Sequence, residues 1–470
     1  MRGTSLPAAF LASMAIAVPA AAEDDRLDRA MAQIEALQAE LRALQAEVSK
    51  LRVESDAAAT PPTAVIETQS ALITEQGTRL DAVEVAATND IPAIAWKGAP
   101  VISGDGWSFK PRGRLMFDAG VLNTPGAVAL GGTDVITEVR RARLGFEGVI
   151  LSDFNYKFEV DFADNEVEIA DAIISYETGN TEIGVGFQKT GQSLEEEASS
   201  RFTTFIERAA FTDAFAFGRR VGLRVDHVSG DLRLTGTVMS ASVGDLAGDN
   251  DNNQWSVGGR VLYAAELSDT SQVHIGASAL YTDLSDSEPN LRYRQRPNWH
   301  GTNIRLVDTG IVQATDETIY GVEALGIFGP LHVTGEALFA DISGRSGGPG
   351  DGSARGGYAE VGYFLTGETL GYKGGTINRT KILSPLGNGG AGAFQIAARY
   401  DHLDLNGGIL QGGTQGSYQL GLTWIPMDYL RFLLNYNHLE IDGGPFGAAA
   451  DRADGDYVAD VVAVRASIDF

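Results

Sequence analysis

The residues best placed to do chemistry are basic side chains at alternating positions. Arg141 and Arg143 are separated by Ala142 and followed by Leu144 and Phe146, so on a strand both guanidinium groups share one face with Glu147. Arg140 falls on the other register, nearer a rim. Lys157 lies on the polar face of the segment Phe154 to Phe162, where Asn155, Glu159 and Asp161 alternate with Phe154, Tyr156, Phe158, Val160 and Phe162. Arg219 and Arg220 open a strand with Val221, Leu223 and Val225 on one face and Arg224 on the other. Arg201 and Arg208 belong to a helical or irregular stretch, Glu195 to Arg208, bounded by strand-like segments. Asp161 and Asp171 join the polar side by alternation. A guanidinium donates two hydrogen bonds to one face of an oxyanion, so a wall of this kind suits reversible contact with anions.

Catalytic motifs are present only in name. Gly344-Arg345-Ser346-Gly347-Gly348 has nucleophile-elbow spacing, yet it lies in a Gly-rich loop with no helix after it. Gly387-Asn388-Gly389-Gly390-Ala391-Gly392 has dinucleotide-fingerprint spacing, and the strand-like Phe394 to Leu405 follows where a helix would have to bind pyrophosphate. Asp249, Asp251 and Asn253 lack the Gly and terminal Glu of a calcium loop. His227, His300, His332, His402 and His438 fall at no ligand spacing. Neither enzyme activity nor a cofactor or metal is expected.

The elements that must position these residues are strands. From Trp107 to Phe470 helical periodicity almost disappears and period-2 alternation recurs. Alternation alone does not distinguish a soluble sandwich from a membrane barrel, but three features favour the barrel. The hairpin Tyr418 to Leu439, turning at Ile425-Pro426-Met427-Asp428-Tyr429, places aromatics at strand ends as interfacial girdles do. Tight turns such as Ser229-Gly230-Asp231 and Leu267-Ser268-Asp269-Thr270 are interspersed with long polar connections, Ser240 to Trp255 and Asp283 to Asp308, as in a barrel with short turns at one end and long loops at the other. The chain ends with Val462, Val464, Ala466, Ile468 and Phe470 on one face, running to a terminal aromatic like that of outer-membrane barrels. At about 10 residues per strand plus turns and loops, the segment accommodates about 16 antiparallel strands. A barrel of that size leaves an aqueous channel rather than a packed interior.

The composition agrees with this reading. The chain has 470 residues, 36 Lys and Arg against 62 Asp and Glu, a net charge of −26 and no Cys. That balance argues against a nucleic-acid partner, and ordinary apolar content argues against disorder. No run of about 18 apolar residues lies beyond the N-terminus, which excludes a helical membrane protein but not a barrel. Residues 1–22 carry Arg2, an apolar run and Ala20-Ala21-Ala22, the three parts of a secretory signal peptide. In residues 23–54, Leu27, Ile34, Leu41 and Val48 at a positions and Ala30, Leu37, Leu44 and Leu51 at d positions predict a short α-helical coiled coil. Residues 55–106 read as a linker with at most one further helix, around Gln69 to Val85. The barrel occupies residues 107–470.

From about residue 107 onward the chain resembles the phosphate-selective porins O and P of Gram-negative outer membranes. The resemblance rests on blocks that occur in order: Arg140–Gly148, Tyr156–Ala163, Asp171–Tyr176, Gly186–Lys189 with Ser193–Glu196, Ser199–Arg208, Gly218–Gly222, Leu365–Thr369, Ala397–Leu405, and Leu422–Trp424 with Leu434–Tyr436. It implies an all-β transmembrane barrel of 16 strands, a homotrimer, and a loop folded inward to narrow each pore. By resemblance that loop holds Arg201 and Arg208, and Lys189 leads into it. The resemblance further implies diffusion of phosphate or other small anions, with a carboxylate accepting a hydrogen bond from protonated phosphate. One departure from the family pattern is the scarcity of Lys, limited in the barrel segment to Lys110, Lys157, Lys189, Lys373 and Lys381. Expected surroundings are outer-membrane lipid, with the coiled coil in the periplasm touching the cell wall or another envelope protein. A porin for another organic solute and a barrel-anchored tether are the alternatives.

Overall fold

A computed structural model describes residues 36, 38–54, 70–79, 92–125, 135–240, 254–284, 290–345, 348, 350–447 and 455–470. The expected signal peptide, the coiled-coil positions Leu27, Ala30, Ile34 and Leu37, and the loop residues Asp249, Asp251 and Asn253 lie outside the described residues. The N-terminal unit contains helices over 38–54 and 70–79. In the first, Leu41, Leu44, Val48 and Leu51 form a half-buried stripe while the residues between them are exposed. These are a and d positions of the heptad spacing.

Among the described residues of the second unit, sixteen long strands close into an antiparallel barrel. They are β1 (Trp107–Asn123), β2 (Ile136–Ile150), β3 (Phe154–Asp161), β4 (Glu168–Thr178), β5 (Thr181–Gln188), β6 (Arg220–Ser229), β7 (Leu232–Met239) and β8 (Trp255–Ser268). The series continues with β9 (Ser271–Asp283), β10 (Val312–Phe328), β11 (Leu331–Gly344), β12 (Gly352–Phe364), β13 (Ala393–Gly407), β14 (Leu410–Met427), β15 (Leu430–Asp442) and β16 (Tyr457–Asp469). Each strand pairs with the next, and β16 closes on β1 from Asp460↔Asn123 to Asp469↔Arg114. Phe470 extends the seam by exchanging backbone hydrogen bonds of 3.0 and 3.2 Å with Gly113. Closure matters because an open sheet edge in hydrocarbon would leave a row of unsatisfied amides. The short strands Ala93–Trp96 and Pro100–Gly104, within the expected linker, precede β1, and Ile102 pairs with Phe109.

Alternation sorts each strand into a lipid face and a lumen face. On β16 the side chains of Val462, Val464 and Ile468 are exposed outward, while Arg465 and Asp469 are buried inward. On β3 the outward row Phe154, Tyr156 and Phe158 adjoins Tyr176 and Phe146 in aromatic contacts of 5.0–6.0 Å between ring centroids. The hairpin at Tyr429 is tighter than its sequence reads. Strand β14 continues through Ile425-Pro426-Met427 with a register shift, leaving Asp428 and Tyr429 as the turn, with Tyr429 at φ 72°.

Among the described residues, three connections fold into the lumen. Residues 189–219 run inward between β5 and β6 and carry the short helices Leu194–Glu197 and Ala210–Ala214. Between β9 and β10, Tyr293, Trp299, Leu306 and Val307 are buried. The third connection, residues 365–392, enters from the end where the turns are otherwise short. It brings the Tyr372 hydroxyl within 2.6 Å of His274 Nδ1 and stacks Arg379 4.2 Å over Tyr429. The expected division into short turns and long loops therefore has this exception, and its residues carry no alternation that would place them in the wall.

Candidate functional site

The inward loop 189–219 has few regular hydrogen bonds of its own, so its backbone groups need partners from the wall. Strands β11 to β16 supply them. Glu336 accepts hydrogen bonds from the amides of Leu194 and Glu195 at 2.9 and 2.8 Å. Asn435 Oδ1 accepts from Ile206 N at 2.8 Å, and Asp401 from Ala210 N at 2.7 Å. Arg465 donates to Ile206 O at 2.5 Å, and Arg431 donates to the carbonyls of Arg201 and Thr203. Arg399 joins the loop's Glu195 to Glu360 of β12. Phe205 and Phe211 bury their rings on the same side. The loop is thereby pressed against β11 to β16, and open space remains between it and β1 to β6.

That space is a chamber of about 320 Å³. Its walls carry Arg112 and Arg114 of β1, Arg141 and Arg143 of β2, Lys157 of β3, Arg224 of β6, and Lys189, Arg201, Arg208 and Arg219 of the loop. The acids that line it are Asp171, Glu182, Glu197 and Asp226, completed by Ser199, Ser200 and Gln188. Ten cations thus face four carboxylates in a chain whose net charge is −26. Counting also Glu159 and Asp161, buried beneath the arginines, and Glu147, Glu196 and Asp469, which pair with Arg112, Arg208 and Arg201, nine carboxylates meet the ten cations, and a small cationic excess remains.

The cations differ in how fully they are neutralised. Glu159 is shared by Arg112, Arg114 and Arg143 at 2.9–3.1 Å. Asp161 grips Arg143 Nε at 2.7 Å and accepts from the Ala142 amide, so it is chiefly a clamp. Asp171 is bracketed by Lys157 and Arg219, each at 2.7 Å. Arg224 lies between Glu197 and Asp226 at 3.0 and 2.7 Å. Arg201 reaches Asp469 at 3.3 Å. Arg141, by contrast, approaches its carboxylate, Asp161, only to 3.8 Å. Lys189 and Arg208 donate mainly to carbonyls, those of Glu196 and Ala198 for the first and of Glu195 and Ala198 for the second. Burial pulls the Lys189 ammonium down to about 7, against the opposing pull of Glu196. Burial alone would raise Glu197, but Arg224 and Lys189 outweigh it and hold the carboxyl down to about 2.

Two further chambers adjoin this one. Towards the loop end, an antechamber of about 140 Å³ shares Arg208 and adds Arg140, Glu196, Glu207, Thr212, Asp213 and residues 295, 296 and 298–300 of the second inward loop. Towards the turn end, an exit chamber of about 430 Å³ shares Glu182, Glu197, Arg224 and Asp226 and adds Glu177, Arg233, Arg260 and the hairpin tip at Gly374 and Thr376. The constriction thus shares wall residues with a chamber on each side.

Of the residues singled out by sequence, Arg141, Arg143, Lys157, Asp171, Lys189, Arg201, Arg208, Arg219 and Arg224 line the constriction, and Asp161 supports it from beneath. Arg140 departs from its expected register. The pairing steps from Met116↔Arg141 to Phe117↔Val139, so Arg140 occupies a bulge, and it grips Glu207 of the inward loop at 2.9 and 3.2 Å. Arg220 lies outside the constriction, 3.5 Å from Ser256. Arg112 and Arg114 join them unexpectedly, although they alternate with Lys110 and Asp118 on one face of β1, the same signal that marks Arg141 and Arg143. The loop anchors Glu336, Arg399, Asp401, Arg431 and Arg465 share the inward alternation, but it does not mark their role, because their partners lie far away along the chain.

A closed 16-stranded barrel with water-exposed charge inside and an apolar band outside is a membrane channel of the porin type. The phosphate-selective porin O and P family model matches residues 109–458, and the chain belongs to that family. A Caulobacter vibrioides relative described only as an uncharacterised protein is 38% identical over 385 residues, covering 80% of this chain and 77% of that protein. Porin O of Pseudomonas aeruginosa is 23% identical over 387 residues, covering 74% of this chain and 86% of its own. Among solved structures, OmpT of Vibrio cholerae superposes with a TM-score of 0.51 at 11% identity, over 79% of this chain and 99% of OmpT. A trimer form of OmpT gives a TM-score of 0.50 at 10% identity, over 78% of this chain and 100% of that one. The protein is an outer-membrane porin, and its fold and family are those of a channel rather than an enzyme.

Proposed function

We propose that this porin conducts small anions, phosphate among them, by diffusion through the constriction between the loop 189–219 and the wall β1 to β6. The concentration of ten cations in one narrow chamber of an otherwise acidic chain carries this reading. An anion entering must exchange part of its water for fixed donors and leave again, which spaced and partly neutralised guanidinium groups allow. Arg141 and Arg208, whose carboxylates stand 3.8 and 3.6 Å away, have most charge to spare, joined by Lys189 below about pH 7. Asp171, held between Lys157 and Arg219, is the carboxylate available to a protonated oxyanion. The working unit in this reading is a homotrimer in outer-membrane lipid, with the heptad helix in the periplasm.

Planar-bilayer recording of the purified protein tests the proposal. Under a KCl gradient the reversal potential is expected to report preference for chloride, and added phosphate to reduce the chloride current. Preference for potassium would overturn it.

A further inference from the structure

The small cationic excess of the constriction is not spread evenly over its walls. Nine of the ten cations stand on β1 to β3 and on the inward loop, where they meet six carboxylates. The other three carboxylates, Glu182, Glu197 and Asp226, lie towards the turn end with the tenth cation, Arg224. Strand register extends this end into a row. Glu177 of β4 lies directly opposite Glu182 of β5, and Glu182 lies directly opposite Asp226 of β6. All three line the exit chamber, and Glu182 and Asp226 line the constriction as well.

Like charges directly opposite on neighbouring strands repel, so such a row is costly until a cation meets it. The protein itself supplies little. Arg224 is divided between Asp226 and Glu197 at 2.7 and 3.0 Å. Glu182 accepts from the Ser175 hydroxyl at 2.6 Å, and no Lys or Arg pairs with Glu177 or Glu182 among the described residues. Of the other arginines at the exit chamber, Arg260 is held by Glu323 at 2.9 Å and Arg233 packs along the hairpin tip at Gly375. Glu177 and Glu182 are exposed and the Asp226 side chain is 33% exposed, so these carboxylates meet the water of the lumen.

A solute in the constriction therefore has guanidinium groups towards β1 and β2 and accessible carboxylates towards the turn end of β5 and β6. A plain anion uses only the first. An anion that also carries an ammonium uses both, its head against the spare charge of Arg141 and Arg208 and its ammonium on Glu182 and Asp226. We infer that the constriction takes small zwitterions, an oxyanion head joined by a short chain to an ammonium, and that Glu182 and Asp226 read the ammonium. This inference rests on the anion-porin reading and narrows its substrate class. An aminoalkyl phosphate and an amino acid share the required chemistry and differ in the head.

The test uses the full-length protein in planar bilayers, with chloride current recorded while matched pairs of solutes are added. Phosphoethanolamine is paired with 2-hydroxyethyl phosphate, and 4-aminobutyrate with 4-hydroxybutyrate. In at least one pair the ammonium member is expected to half-block at a concentration about two- to fivefold below that of the hydroxyl member, the effect of one partly exposed ion pair. The pair that shows it identifies the head. Glu182→Gln combined with Asp226→Asn should remove the difference. The barrel is expected to stay folded, because the substitutions relieve the like-charge row, and heat-modifiable mobility in detergent gels checks this. Equal or stronger block by the hydroxyl member in both pairs overturns the inference, as does an ammonium advantage that survives the double substitution. Either result with anion-selective current spares the porin reading. Cation-selective current removes both.

Discussion

At the scale of single residues, the constriction separates groups that carry charge from groups that hold others in place. Arg112, Arg114 and Arg143 share Glu159, whereas Arg141 stands 3.8 Å from its carboxylate and contributes more of its field to the lumen. Arg141→Ala is therefore expected to lower the anion-to-cation permeability ratio several-fold, and Arg112→Ala to lower it less; reversal potentials under a salt gradient measure both. Lys189 adds a pH dependence. With its pKa pulled down to about 7, its ammonium is present below that pH and lost as the pH rises through it, so anion preference should fall between about pH 6 and pH 8. Lys189→Arg should flatten that profile, because a guanidinium stays charged. A profile unchanged by this substitution would assign the titration to another group.

At the scale of elements, the inward loop is a device for making a narrow pore from a wide barrel. Its amides are satisfied by carboxylates and amides from β11, β13 and β15 rather than by neighbours in its own sequence. Glu336 accepts from two of those amides, and Glu336→Ala leaves both without an acceptor at a cost of about 1–3 kcal/mol each. The expected result is a loop freed from that wall, with larger and noisier single-channel conductance while the barrel stays closed. Arg465 joins Asp118 of β1, Glu207 and the Ile206 carbonyl. Arg465→Ala strips the partner from a buried carboxylate, with an expected loss of about 3–5 kcal/mol. A lower temperature for converting the folded band to the unfolded one in detergent gels would report it.

At the scale of the whole molecule, the heptad helix is proposed as a periplasmic element of a trimer. Deleting residues 24–54 and weighing the detergent-solubilised protein separates two outcomes. Loss of the trimer assigns assembly to the helix, and its retention assigns assembly to the barrel wall. The barrel itself was legible in the residues. Period-2 alternation, turn residues and the terminal Phe470 are local signals, and they specify which side chains share a face whatever the rest of the chain does. The polar face of β2 and β3 followed from that rule alone. Arg140 did not, because a single-residue bulge reverses the direction of the side chain and leaves no mark in the composition. Nor did the anchoring of the loop, whose hydrogen bonds to Glu336, Asp401 and Asn435 cross from about 140 to 230 positions of sequence. The sequence by itself determined a closed, antiparallel membrane barrel with arginines on its inner face, since strand periodicity and the need to satisfy every amide in lipid leave little else. Only the tertiary structure decided which arginines meet, because a constriction is made by segments distant in sequence whose charges count only once they face the same water.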